Sequence, residues 1–146
     1  MIEEGALDGV DVIYGVHLWT PVPVGTVASA PGPLMASTDE FFIDVQGRGG
    51  HGGMPHKTVD SVVAASALVL QLQSVVSRSV DPLDPAVVTI GSIQGGTAQN
   101  IIADRCRLSG TVRCFREATR ELIRERIHVL AKTRQRRTAR RPISIT

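Results

Sequence analysis

The 146-residue sequence is poor in aromatic side chains and in cysteine. Aromatic residues make up 3% of it, so the core must be built from aliphatic side chains. A sheet that binds RNA by stacking bases on aromatic side chains is therefore disfavoured. The two cysteines, Cys106 and Cys114, lie eight residues apart on one predicted strand. At about 3.3 Å per residue they are too distant for a disulfide, so we expect free thiols in a reducing compartment.

The sequence also lacks a recognisable secretion signal and an even distribution of charge. No charged segment followed by an apolar stretch opens the chain, so we expect a cytoplasmic protein. Residues 129–146 hold six basic and no acidic side chains, which leaves 10 basic and 14 acidic groups, a net charge of −4, in residues 1–128. Such a tail is most often solvated. Binding of nucleic acid or anionic lipid is the weaker alternative, and we expect neither nucleic acid nor a membrane as partner.

The first third of the chain is predicted to form extended structure and turns. The apolar run from Val10 to Trp19 is typical of a buried strand, and short strands such as Thr26 to Ala30 could follow among the prolines and glycines. No helix in this segment could cover such strands. Residues 1–36 therefore look like a strip of a larger layered domain.

The next segment, residues 37–130, carries a complete pattern of alternating elements. Alternation of apolar and polar residues, together with β-branched side chains, predicts strands, while apolar residues that recur about every three to four positions predict helices. The elements are a strand from Asp39 to Gln46, a helix from Thr58 or Asp60 to Arg78, strands at 86–93 and 105–113, and a helix from Glu117 to about Leu130. This β-α-β-β-α order predicts an α+β domain of the ferredoxin-like, split βαβ type. Residues 131–146 are the basic tail, in which Pro142 to Ile145 is a candidate final strand.

The first predicted helix carries no charged residue between Asp60 and Arg78. A helix that is apolar nearly all round must be covered on more than one side. Its serine and glutamine content argues against a membrane span. A second protein surface is the better explanation, and a homodimer would supply one.

A histidine flanked by glycines is the main candidate for a binding residue. Glycines at 49, 50, 52 and 53 surround His51 and remove bulk around it, so that the imidazole can be presented on a bare loop. The alternative is a glycine turn with a solvent-exposed histidine and no further role. Asn100 and Arg113, which are thirteen residues apart, add an amide and a guanidinium to His51 as candidate binding groups.

Several separated segments resemble, in the same order, one family of enzymes. They are residues 1–7, Gly15-Val16-His17-Leu18-Trp19, Gly32-Pro33-Leu34-Met35-Ala36, residues 49–56, Asp81-Pro82-Leu83-Asp84-Pro85 and Gly110-Thr111-Val112-Arg113. The resemblance is to the middle of the amidohydrolase group that contains hippurate hydrolases and indole-acetyl-amino-acid hydrolases. That group belongs to the aminoacylase and carboxypeptidase family of dinuclear metallopeptidases. The resemblance covers roughly residues 1–130 of this chain.

The resemblance implies a catalytic chemistry and a place for this chain in it. Such enzymes hydrolyse N-acyl amino acids at two divalent metal ions, commonly zinc or manganese, which activate a bridging water. His17 matches a metal ligand, but the other ligands of the family have no counterpart here. Residues 1–36 would be part of the catalytic domain, and residues 37–130 would be the lid or dimerisation domain.

The resemblance also implies roles for the lid residues. His51 would reach into the partner subunit's active site and stabilise the oxyanion, while Asn100 and Arg113 would bind the substrate carboxylate. We expect a truncated metal-dependent amidohydrolase that is inactive alone and binds no metal tightly. The alternative is a free-standing dimerising or ligand-binding module without catalysis.

Overall fold

The computed structural model of the chain describes residues 3–138, with side chains described as far as Lys132. It divides into two compact units, Met1–Leu34 and Met35–Thr146. The candidate residue His17 lies in the first unit. The other three candidates, His51, Asn100 and Arg113, lie in the second.

The first unit contains turns and extended backbone. Turns occupy residues 3–9 and part of 20–25, and residues 3–34 contain no strand. The predicted strands at Val10 to Trp19 and Thr26 to Ala30 are therefore wrong. A strand is defined by its hydrogen bonds to a neighbouring strand, and the described residues of this unit contain no strand that could pair with these segments. Its apolar side chains are correspondingly exposed, with Val16 96% and Leu18 91% accessible to solvent.

The second unit confirms the predicted α+β fold. Its elements are β1 (Asp39–Gln46), β2 (Gly50–His51), α1 (Ser61–Ser79), β3 (Ala86–Gly95), β4 (Ile101–Ile102), β5 (Arg105–Cys114) and α2 (Glu117–Thr138). Three of them form the main antiparallel sheet in the order β1-β5-β3. The two-residue strands β2 and β4 form a second, separate ladder.

The core lies between one face of the main sheet and the two helices. Alternate residues of β1 and β5 point into it, as their period-two pattern predicts. The buried side chains include Phe41, Ile43, Leu108, Leu68, Leu72, Ile123 and Ile127. Both cysteines are buried and free, as expected. The opposite face of the sheet carries polar residues such as Arg107 and Thr111.

Local signals fix where the first helix begins. The Asp60 carboxylate accepts hydrogen bonds from the main-chain N–H groups of Val62 and Val63, which caps α1. By length and composition α1 could cross a membrane, with a mean hydropathy of 1.3. However, Leu72 and Val75 pack into the core, as expected of a core helix.

The second helix is longer than its sequence pattern predicted. It continues to Thr138 instead of ending near Leu130. The change to a basic composition after Leu130 is not a helix stop, because lysine, arginine, glutamine and alanine all favour helices. The candidate strand at Pro142 to Ile145 lies outside the described residues.

Candidate functional site

The glycine-flanked histidine lies on a strand and not on the bare loop expected from the sequence. His51 pairs with Ile101 and Gly50 pairs with Ile102 in the ladder of β2 and β4. Two-residue strands have no periodicity that a sequence could reveal, so this ladder was missed. Its consequence is that the backbone of His51 is held by a neighbouring strand.

The exposed ring of His51 is held from its own loop. The main-chain N–H of Gly53 donates to Nδ1 of His51 at 2.9 Å. The carbonyl of His51 accepts from the N–H of Met54, also at 2.9 Å. Within the described chain no protein group bonds to Nε2, so that nitrogen is available to an external group. Sequence reasoning did not identify the Gly53 amide as part of the site.

Asn100 lies next to this histidine. The main-chain N–H of Gly52 donates to the carbonyl of Asn100 at 2.7 Å. A Cβ atom at position 52 would lie 2.9 Å from the same oxygen, so the close approach requires glycine. The structure thus brings together two of the three predicted lid residues.

Arg113 lies at the other end of the main sheet. It pairs with Val87, near the end of β5, whereas the β5 residue closest in sequence to β4 is Arg105. Eight residues of strand separate Arg105 from Arg113, which is roughly 26 Å along the strand. One protomer therefore does not bring Arg113 together with His51 and Asn100.

An ion pair lies close to Arg113. Arg120 donates from Nε and Nη2 to the Asp39 carboxylate at 2.9 and 2.5 Å. These hydrogen bonds are the main reason that the pKa of Asp39 lies below its ordinary value, and the positive charge of Arg113 is a smaller cause. The pair joins the first turns of α2 to the start of β1.

His17 has the opposite hydrogen bond at its ring. Its Nδ1 lies 2.6 Å from the carbonyl of Leu18, which can only accept, so Nδ1 carries the proton. The lone pair is left on Nε2, as in histidines that bind metals. Among residues 3–138, however, no three histidine, cysteine or acidic side chains are grouped to hold a metal ion. The described residues therefore do not fit a two-metal centre by themselves.

A family described as the peptidase dimerisation domain matches residues 38–139. The N-acetyldiaminopimelate deacetylase of Bacillus pumilus is 57% identical over 122 residues, which is 84% of this chain and 32% of that protein. The chain thus spans about a third of the length of the curated relatives it matches.

Two solved structures share the fold. A Staphylococcus aureus protein assigned as an aminohydrolase has a TM-score of 0.83 and 41% identity, over 94% of this chain and 36% of that one. A dinuclear metal-binding peptidase of the M20 family from Bacillus subtilis has a TM-score of 0.66 and 33% identity, over 94% of this chain and 33% of that one.

Proposed function

Because residues 38–139 match that family and the relatives are M20 amidohydrolases, the chain belongs to the peptidase dimerisation domain family of M20 enzymes, and we propose that it serves as the lid of a metal-dependent amidohydrolase. The resemblance drawn from the sequence is thereby confirmed. The proposed reaction of the complete enzyme is hydrolysis of the amide bond of an N-acyl amino acid. The acetylated substrate named for the Bacillus pumilus relative is the first one to test.

The observation that carries this proposal is the presentation of His51. Its ring lies on a two-strand ladder, next to Asn100, with Nε2 open to an external group. In amide hydrolysis, negative charge develops on the carbonyl oxygen, and a fixed hydrogen-bond donor stabilises it. His51 is proposed to be that donor, and Asn100 to bind the substrate beside it.

Arg113 is proposed to bind the substrate carboxylate through its planar guanidinium. Since it lies roughly 26 Å along the sheet from the His51 end, the two cannot act on one small substrate from the same lid. A site that uses both must draw them from two protomers. This separation supports the proposal that His51 acts in the partner's active site.

A homodimer is the proposed assembly, with α1 and the edge strand β3 as its interface. The outer side of α1 exposes Leu70 (75%) and Val63 (64%), and β3 exposes Val87 (52%). In the described chain β3 is hydrogen-bonded to β5 only, so its outer edge is open. An open strand edge beside an apolar helix surface is typical of a protein interface, and two-fold symmetry would cover both copies at once.

Residues 1–36 are proposed to belong to the catalytic domain, with His17 as one metal ligand. Its free Nε2 lone pair is suited to a divalent cation such as zinc or manganese. One imidazole does not fix a metal centre, so the chain alone is proposed to bind metal weakly and to hydrolyse nothing. Metal-dependent turnover by the isolated chain, abolished by His17→Ala, would contradict this.

A chimera tests the proposed roles. The matching segment of the Bacillus pumilus deacetylase is replaced by this chain, and hydrolysis of N-acetyldiaminopimelate is measured. His51→Ala should lower kcat by about 100-fold or more, because an oxyanion donor acts mainly in the transition state. Arg113→Ala should instead raise KM, because the carboxylate is bound in the ground state as well. If neither substitution changes the kinetics, the better interpretation is that the chain is a dimerising module without a catalytic role.

A linked heterodimer of the chimera tests whether His51 acts across the interface. One subunit carries both His51→Ala and a substitution of a catalytic-domain metal ligand, and the other subunit is unchanged. If His51 acts in the partner's site, the only intact metal centre receives the mutated histidine and activity is lost. If it acts within its own subunit, about half of the activity remains, since one of the two sites is intact.

A further inference from the structure

The hydrogen bond from the Gly53 amide to His51 sets the direction in which the imidazole can act. We infer that Gly53 is a positioning residue: its N–H holds the neutral His51 ring in the tautomer whose proton is on Nε2, directed away from the domain. The inference rests on the proposed function for its biological meaning. The tautomer itself can be measured without any reaction.

The tautomer follows from what each group can do. A main-chain N–H has a proton to give and no lone pair to accept one, so Nδ1 of His51 must be the acceptor of the 2.9 Å bond. In a neutral imidazole one nitrogen accepts and the other carries the proton. The proton therefore lies on Nε2. The opposite tautomer would turn two donors, Nδ1–H and the Gly53 N–H, towards each other.

The same bond limits rotation of the ring. The backbone of His51 is already held by pairing with Ile101 and by the bond from Met54 to its carbonyl. With Nδ1 also held, neither the main chain nor the ring is free to turn. A donor fixed in this way needs little rearrangement when charge develops on a substrate oxygen.

Glycine at position 53 is what allows the amide to approach the ring. A Cβ atom there would lie 3.1 Å from Nδ1 and 3.2 Å from Cε1 of His51, so a side chain would crowd the imidazole. Substitution by alanine adds this crowding and keeps the N–H. Substitution by proline adds a similar crowding and removes the N–H. The two variants form a matched pair that separates the hydrogen bond from the steric effect.

The ring of His17 is held by the opposite hydrogen bond, so the tautomer inferred for His51 is specific to its position. At His17, Nδ1 donates to the carbonyl of Leu18 and Nε2 keeps its lone pair. The two rings thus present opposite chemistry at Nε2, a metal-binding lone pair at His17 and a proton donor at His51. Each matches the role proposed for it.

The test is nitrogen NMR of the whole chain, labelled with nitrogen-15 at both histidine and glycine, about two pH units above the ordinary histidine pKa of about 6.5. We expect His51 to show one protonated nitrogen at Nε2 and a coupling through the hydrogen bond between Nδ1 and the Gly53 nitrogen. Gly53→Ala should keep this single tautomer, and Gly53→Pro should give a mixture of the two. A mixture in the wild type, or a protonated Nδ1, would overturn the inference. So would equal behaviour of the alanine and proline variants.

The coupling in the wild type decides the question even if the proline variant does not fold, since its absence would show that the bond is not formed. In the active chimera, Gly53→Pro should lower kcat by about tenfold or more relative to Gly53→Ala, with KM little changed. Equal kcat values would refute the positioning role. Failure of the chimera's His51→Ala variant to lose activity would instead refute the proposed function, with the measured tautomer unaffected.

Discussion

Replacing Leu70 with alanine should weaken self-association strongly while leaving the fold of each protomer intact. Leu70 is 75% exposed on the outer side of α1, so its side chain contributes little to the protomer core. In the proposed homodimer it would be covered. The variant therefore tests the interface without a large change in the stability of the chain.

The size of the effect follows from the buried area. Leucine to alanine removes about three methylene equivalents, each contributing about 0.8 kcal/mol when fully buried. Since 75% of Leu70 is exposed in the protomer and would be buried in the dimer, the substitution in each copy weakens the free energy of association by about 1.8 kcal/mol. A two-fold interface contains the residue twice, so the free energy of association is weakened by about 3.6 kcal/mol in total. The dimer Kd should then rise about 400-fold.

Sedimentation equilibrium over a range of concentrations measures this change, and circular dichroism verifies the fold. Leu18→Ala is the matched control, because Leu18 is 91% exposed and lies outside the family match at residues 38–139. It should change Kd by no more than about twofold, as surface substitutions usually do. Three results would refute the reasoning: a monomeric wild type at about 100 μM, an effect of Leu70→Ala below about threefold, or an equal effect of Leu18→Ala.

Three further substitutions test the fold. Leu72→Ala, at a fully buried position of α1, should lower the free energy of unfolding in urea by about 2–5 kcal/mol. Asp60→Ala removes the acceptor that caps α1 and should cost about 1 kcal/mol in the same assay. Asp39→Asn should cost about 1 kcal/mol near neutral pH, because it breaks the partly exposed pair with Arg120. The folded pKa of Asp39 is lowered, so this contribution is present above about pH 4 and is lost as the pH falls through the lowered pKa; urea titrations across pH should show the two proteins converging in acid.

Each of these has a control on the same chain. Leu83→Ala changes a leucine that is 90% exposed and should have little effect on unfolding. Asp60→Asn keeps a side-chain oxygen and should retain most of the capping energy. Glu40→Gln removes an exposed charge from β1, and its effect should not follow the pH dependence of Asp39→Asn. If a control matches its test variant, the contact named for that variant is not the cause.

The three long strands and the two helices of the second unit could be predicted because each of them has a local signal. Alternation along β1 and β5 sets which side chains enter the core, and the Asp60 cap marks the start of α1. The same kind of reasoning was wrong for residues 10–19. An apolar run predicts burial, but a strand also needs a partner, and the pattern of a single segment contains no information about its neighbours.

The site was predicted only in part. The glycines around His51 identified the residue, and the resemblance supplied the roles proposed for Asn100 and Arg113. The β2–β4 ladder and the Gly53 hydrogen bond have no sequence signature, because they depend on which backbone groups meet after folding. The separation of Arg113 from the His51 end follows from the length of β5.

The sequence by itself determined the order of the three long strands and two helices of the second unit, their buried faces and the family, because these depend on local spacing and on residue identity. The tertiary structure decided the rest. It placed His51 beside Asn100, separated both from Arg113, and set the ring nitrogens of His51 and His17 to opposite hydrogen bonds. The physical reason is that hydrogen bonds between segments and distances along a sheet exist only once the strands are paired.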